Sequence, residues 1–219
     1  MAKLTATDRD RQAVVNAYRQ QRENGLGTGA SGNISCRIPD GMLITPTGAS
    51  PASLEPGQLV AMSLTGDVAK GQYLPSSEWH MHAAIYRQRA DAGAVVHCHS
   101  RFATSIACTG RSIPAIHYMI AVTGNNEVPL APYATFGTEA LASSVIDVLG
   151  DGRACLLANH GQIAVADTVE SALKLAIEVE ELAAIYWHSL VAGNAEILTD
   201  EQMAEVASAF ATYGQQGKS

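Results

Sequence analysis

Three absences narrow the reading of this 219-residue chain before any motif is considered. Positive charge is not in excess: 14 Lys and Arg stand against 21 Asp and Glu, a formal net charge of −7. That removes the basic field on which bulk binding of nucleic acid or of an anionic membrane depends. Long apolar runs are missing too. No window approaches the roughly 18 consecutive apolar residues of a spanning helix, and the stretch from Met1 to Asp8 lacks the apolar core of a signal peptide. A cytoplasmic protein without a membrane partner is expected. Finally, Cys36, Cys98, Cys108 and Cys155 include no Cys-x-x-Cys pair, and a chain of this size needs no disulfide staples, so buried reduced thiols are expected.

What is present, 47% hydrophobic residues, suffices for one substantial domain over residues 1–219. Thr7 or Asp8 caps an amphipathic first helix that Gly25 stops. A glycine-rich stretch, Gly25 to Asn33, leads into an alternating strand, Ile34 to Ile38, and Pro39-Asp40-Gly41 turns it into a second arm, Met42 to Ile44. Leu59 to Ser63 reads as a strand whose return arm begins near Val68. Ser76 or Ser77 caps a helix through Glu78 to about Arg89, the strand from Ala94 to His99 follows, and Ser100 caps a shorter helix ended by Gly110. The segment from Arg111 to Phe136, broken by Pro114, Gly124, Pro129 and Pro132, reads as an irregular functional loop carrying His117, Tyr118 and Glu127. Next come a helix from Thr138 to Leu149, strands from Ala154 to Ala158 and Ile163 to Ala166, a long helix capped by Asp167 or Thr168, and a last helix with Tyr213 near its end. This order predicts an α/β fold in which helices cover a mixed, largely antiparallel sheet.

Chemistry concentrates at His97-Cys98-His99. Alternation along a strand puts the two imidazoles on one side, and the apolar run Ala94 to Val96 places them near the strand's carboxyl end, where α/β proteins often build sites. With His160 as third ligand they would suit zinc with an open fourth position. Such a pair also occurs as two hydrogen-bonded histidines with no metal, and spacing alone leaves both readings standing. A second His-x-His, at His80 and His82, falls in a helix, where residues two apart point about 200° apart and cannot grip one ion. Glu78 and His82, four apart, share a helical face, so His82 is placed to orient Glu78; a solvated surface glutamate is the alternative. Gly29 to Asn33, Thr47-Gly48 and Ser76-Ser77 offer the amides and hydroxyls that a phosphate monoester needs, although each is equally an ordinary turn. Tyr118 is a candidate general acid or else a buried tyrosine with one hydrogen bond.

Longer stretches carry a family resemblance. Gly41-Met42-Leu43-Ile44-Thr45-Pro46-Thr47-Gly48, Leu74-Pro75-Ser76-Ser77-Glu78-Trp79, Ala94-Val95-Val96-His97, Arg111 to Ile120 and Ala131 to Thr138 together resemble the zinc-dependent class II aldolase/adducin family. They are most similar to its members that cleave L-fuculose 1-phosphate. The resemblance runs from the first helix to Tyr213 and implies that family's three-layer fold. It implies that His97, His99 and His160 bind one Zn2+ per subunit, with Glu78 approaching the metal in the empty site and acting as acid/base once substrate displaces it. It further implies that Gly32, Asn33, Thr47, Gly48, Ser76 and Ser77 hold the phosphate of a sugar phosphate. Tyr118 would reach the site of a neighbouring subunit in a homotetramer, and Tyr213 and Phe136 would close over substrate. The activity implied is reversible cleavage of a ketose 1-phosphate, L-fuculose 1-phosphate foremost, to dihydroxyacetone phosphate and L-lactaldehyde. Cleavage of 5-deoxyribulose 1-phosphate or 5-methylthioribulose 1-phosphate, epimerisation of a pentulose 5-phosphate and an adducin-like interaction module are the alternatives. Fuculose-cleaving members carry two histidines before the glycine at Gly161, whereas this chain has Asn159-His160-Gly161. The segment 121–128 and the tail after Tyr213 depart from the pattern as well.

Overall fold

A computed structural model describes residues 4–210; the expectation for Tyr213 lies outside the described residues. One seven-stranded sheet runs through them in the order β3-β2-β1-β4-β7-β6-β5. Its strands are β1 (Asn33–Ile38), β2 (Gly41–Ile44), β3 (Val60–Met62), β4 (Ala94–Cys98), β5 (Leu130–Ala131), β6 (Ala154–Leu157) and β7 (Gly161–Ala166). Every pairing is antiparallel except β5 with β6, as expected of a mixed sheet dominated by hairpins. The helices are α1 (Asp8–Glu23), α2 (Trp79–Gln88), α3 (Arg101–Cys108), α4 (Glu139–Leu149), α5 (Val169–Ala192) and α6 (Asp200–Phe210). Among the described residues no helix is long and apolar enough to cross a membrane.

Strand alternation sorts the core into two layers. On β4, Ala94, Val96 and Cys98 face α1, α3 and α5, while Val95 between them faces α2 and α4. His97 shares the face of Val95 by the same two-residue period. Thr7 caps α1 in a full capping box with Asp10, the Thr7 hydroxyl accepting from the Asp10 amide at 3.1 Å, as the sequence predicts.

Several local expectations are corrected. Neither Ser76 nor Ser77 is the cap of α2; Glu78 holds the N-cap position without a side-chain capping bond, and the Ser76 hydroxyl instead accepts from the Glu78 amide. Ser100 sits at the N-cap of α3, yet its hydroxyl is taken by Gln162. The first amides of α3, those of Phe102 and Ala103, donate to the Glu180 carboxylate of α5 instead. A long-range carboxylate thus does the work that a local serine was expected to do. The return arm after β3 is reduced to a single bridge between Met62 and Val68. Cys108, the last residue of α3, is exposed, unlike the buried Cys36, Cys98 and Cys155. The irregular segment holds a 3-10 helix, Tyr118–Thr123, as well as β5.

Candidate metal centre and cleft

His97 stands at the carboxyl end of β4, paired in register with Asn33 on β1 and Ile163 on β7. Fully buried, it donates from Nδ1 to the Gln162 carbonyl at 2.9 Å. This leaves the lone pair of Nε2 facing the centre, the arrangement by which a hydrogen bond to the far ring nitrogen fixes a ligand's tautomer. His99, two residues on, brings its Nε2 to 3.0 Å from that of His97. His160 arrives from the turn joining β6 to β7. There Asn159 takes a left-handed φ of 55°, which asparagine tolerates, and Gly161 lies so close to β4 that a Cβ would meet the Cys98 carbonyl at 2.4 Å. On the other side, a Cβ on Gly32 would meet the His97 carbonyl at 2.7 Å. Two glycines therefore let the backbone close around the imidazoles.

The three rings sit with every pair of centroids 4.8 Å apart and interplanar angles of 69–72°. Glu78 completes the set, Oε2 at 3.2 Å from His97 Nε2 and Oε1 at 3.2 Å from His160 Nε2. All four donor atoms lie within 4.8 Å of one another. Nitrogens about 2.0–2.1 Å from a tetrahedral zinc stand about 3.3 Å apart, close to the spacings here. Glu78 Oε1 is buried without a hydrogen bond of acceptable geometry. Convergent imidazole lone pairs and an unsatisfied carboxylate oxygen fit a divalent cation of intermediate softness. Electrostatics agree. Burial pushes Glu78 upward, but the neighbouring His97 and His160 rings outweigh it and hold the carboxyl far below its usual range. Burial, then His97 and His160, lower His99 to about 3; for His97, the Glu78 carboxylate outweighs burial and raises it.

Beside this centre opens a cleft of about 380 Å³ lined by Gly32, Asn33, Thr47, Gly48, Ser76 and Ser77, together with Glu78, His99 and His160. All six sequence-predicted phosphate residues thus meet in one place, although they come from three separate stretches of chain. Phe136 is on the rim, 64% exposed, as is Tyr133, which the sequence reading did not single out despite its place three residues before Phe136. Gln162 was missed as well; its signal was its position two residues after His160. Tyr118 is half exposed and rests between His117 and Phe210, ring centroids 4.6 and 6.2 Å away. It does not line the cleft of its own chain. The second His-x-His separates as helical geometry demands: His80 stacks on Trp79 at 3.9 Å, while His82 is fully buried.

A three-layer α/β fold in which three imidazoles and a carboxylate converge beside a cleft of amides and hydroxyls defines a protein with a His/Glu cluster able to hold a divalent cation. Comparison with known proteins narrows this class. A sequence model of the family described as Class II Aldolase and Adducin N-terminal domain matches residues 12–187, and the chain belongs to that family. It is 46% identical over 204 residues to the 5-methylthioribulose-1-phosphate/5-deoxyribulose-1-phosphate aldolase of Rhodospirillum rubrum, with 93% of this chain and 92% of that one covered. It is 45% identical over 202 residues to the L-fuculose phosphate aldolase of Escherichia coli K12, covering 92% and 94%. A solved structure of L-fuculose 1-phosphate aldolase superposes with a TM-score of 0.91 at 36% identity, covering 96% of this chain and 100% of that one.

Proposed function

We propose that this chain is a zinc-dependent aldolase that reversibly cleaves a ketose 1-phosphate to dihydroxyacetone phosphate and an aldehyde. The observation that carries the reading is the convergence of His97, His99, His160 and Glu78 within 4.8 Å, next to a cleft that gathers Gly32, Asn33, Thr47, Gly48, Ser76 and Ser77. Bound there, the cation supplies Lewis-acid stabilisation of the charge that develops on the ketone oxygen as the carbon–carbon bond breaks. The chain's residues do the rest. The loop amides and serine hydroxyls hold the phosphate and so orient the carbon backbone toward the histidines. Glu78, ionised and buried at the inner wall of the cleft, moves the proton at the dihydroxyacetone phosphate carbon.

Tyr118 exchanges a proton with the aldehyde oxygen. Since it is absent from its own chain's cleft, this reading has it serve the site of a neighbouring subunit in a homotetramer, with Phe136 and Tyr213 closing over substrate. The whole chain acts as one domain in the cytoplasm. L-Fuculose 1-phosphate, which would give L-lactaldehyde, is the first substrate to test. A second reading, 5-deoxyribulose 1-phosphate or 5-methylthioribulose 1-phosphate, has its own support in the 46% identity to the Rhodospirillum enzyme. An adducin-like module without chemistry would not keep three histidines and Glu78 convergent. A coupled assay of dihydroxyacetone phosphate release from these ketose 1-phosphates, with and without a chelator, is expected to show cleavage of at least one that the chelator abolishes. Cleavage indifferent to the chelator would refute the metal mechanism.

A further inference from the structure

A buried polar seam runs from Glu78 away from the cleft, farther than a metal site requires. On α2 and its N-cap, Glu78, His82 and Tyr86 recur every four residues and share one face. On β1, Asn33, Ser35 and Arg37 recur every two and share one face of the sheet. Four residues rise about 6 Å along a helix and two span about 6.6 Å of strand, so the two stripes stay in step. They interlock: Asn33 Nδ2 lies 2.9 Å from Glu78 Oε2, Asn33 Oδ1 2.5 Å from His82 Nε2, and His82 Nδ1 2.7 Å from Ser35 Oγ. Ser35 Oγ is in turn 2.8 Å from the Tyr86 hydroxyl, and the Arg37 guanidinium caps the Tyr86 ring 4.9 Å from its centroid.

One assignment of hydrogens satisfies every contact. An ionised Glu78 only accepts, so Asn33 must turn its NH2 toward the carboxylate and its carbonyl toward His82. His82 is neutral: its ring is fully buried and its two nitrogens meet only the uncharged Asn33 and Ser35 side chains, so no carboxylate is in contact to pair with a charge there. It must donate from Nε2 to Asn33 and accept at Nδ1. Ser35 spends its one hydrogen on that nitrogen and therefore accepts from Tyr86. The opposite His82 tautomer would force the Asn33 amide to flip and set its carbonyl against the carboxylate.

We propose that this one-directional chain, from Tyr86 through Ser35 and His82 to Asn33, is a positioning device for the Glu78 carboxylate, with the Nε2–H tautomer of His82 locking the Asn33 amide that holds Oε2. Oε1 is thereby kept free of hydrogen bonds for the reacting centre. His82 is a positioning residue that acts through Asn33, and Asn33, assigned to the phosphate from sequence, is engaged at both amide ends by Glu78 and His82. The proposal rests on Glu78 as the proton-transferring group.

Nitrogen-15 NMR of the full-length, zinc-loaded protein tests the tautomer directly, the His82 ring being the one missing from the spectrum of His82→Gln. A protonated Nε2 beside a bare Nδ1 is expected; an imidazolium or a protonated Nδ1 overturns the proposal. In kinetics, His82→Leu is expected to lower kcat roughly ten- to a hundredfold, a usual range for loss of such an outer partner, with KM and zinc content unchanged. His82→Gln, whose amide restores a donor near the Nε2 position, recovers most of the loss. A role confined to stability would lower the melting temperature without separating kcat from KM, and unchanged kcat in a folded His82→Leu sinks the idea. Should that variant fail to fold, the isosteric Tyr86→Phe serves instead, with a shifted His82 Nδ1 resonance and a severalfold lower kcat expected; no change in either overturns the proposal. Wild-type protein with the expected tautomer but no release of dihydroxyacetone phosphate from any ketose 1-phosphate refutes the aldolase reading alone.

Discussion

On one face of the sheet, α1, α3 and α5 press Val14, Ile106, Val179 and Leu182 against Ile34, Val96 and Leu156 in a chiefly apolar layer. On the other, α2 lays Glu78, His82 and Tyr86 over Asn33, Ser35 and Arg37, so that polar groups occupy ground where apolar packing would have been more stabilising. Apart from Glu78 Oε1, which faces the histidines, these groups are tolerated in the interior because they are hydrogen-bonded, and leaving them unpartnered would be costly. The contrast teaches where this chain keeps its stability and where it keeps its chemistry. Apolar contact is non-directional and tolerates small shifts, whereas a chain of hydrogen bonds specifies one arrangement of atoms.

Three substitutions bear on that contrast. The largest effect is expected from Glu78→Gln, which should lower turnover by about 10²–10⁴-fold, the range of a lost acid/base group, while zinc content and melting temperature stay near wild type. Metal analysis beside an activity assay checks this, and full activity would remove Glu78 from the mechanism. In the opposite layer, Leu182→Ala empties a fully buried position of α5 and should cost about 2–5 kcal/mol of stability, read by denaturant unfolding. Its kcat per folded molecule should be unchanged; a loss of kcat comparable to that of Glu78→Gln would erase the division between the layers. The smallest effect is expected from Thr168→Ala. Thr168 caps α5 by accepting from the Ser171 amide at 3.1 Å, a bond worth about 1 kcal/mol, and its loss should lower the melting point slightly with no change in turnover.

Legibility in the sequence followed the range of the interaction involved. The periods of two and of about 3.6 were enough to place β1, β2, β4, β6, β7 and all six helices, because each period is enforced by the local backbone. The same two-residue alternation aligned His97 with His99 and ruled out the helical pair His80 and His82. Errors arose where a distant residue took over a local task. Ser100 holds the N-cap of α3 as expected, but Glu180, seventy-seven residues away along the chain, accepts the Ala103 amide in place of the serine hydroxyl, which Gln162 claims. Asn33 was legible as a polar residue in a glycine-rich approach, but its engagement by Glu78 and His82 depends on the docking of α2 onto β1. Cys108 was expected inside with the other thiols, yet its place on the last turn of α3 turns it outward.

By itself the sequence supplied the candidate ligands, three histidines and one glutamate, and the glycines at 32 and 161 without which the backbone could not approach. These are matters of residue type and of local alternation, which no packing has to supply. Only the tertiary structure decided that His160 meets His97 and His99, because sixty-one residues separate His99 from His160 and nothing but the β4–β7 pairing closes that gap. It also decided that Glu78 is held through Asn33 rather than by His82 directly. A helix and a strand set their side chains in step only once they are packed together, and that packing is a property of the whole sheet.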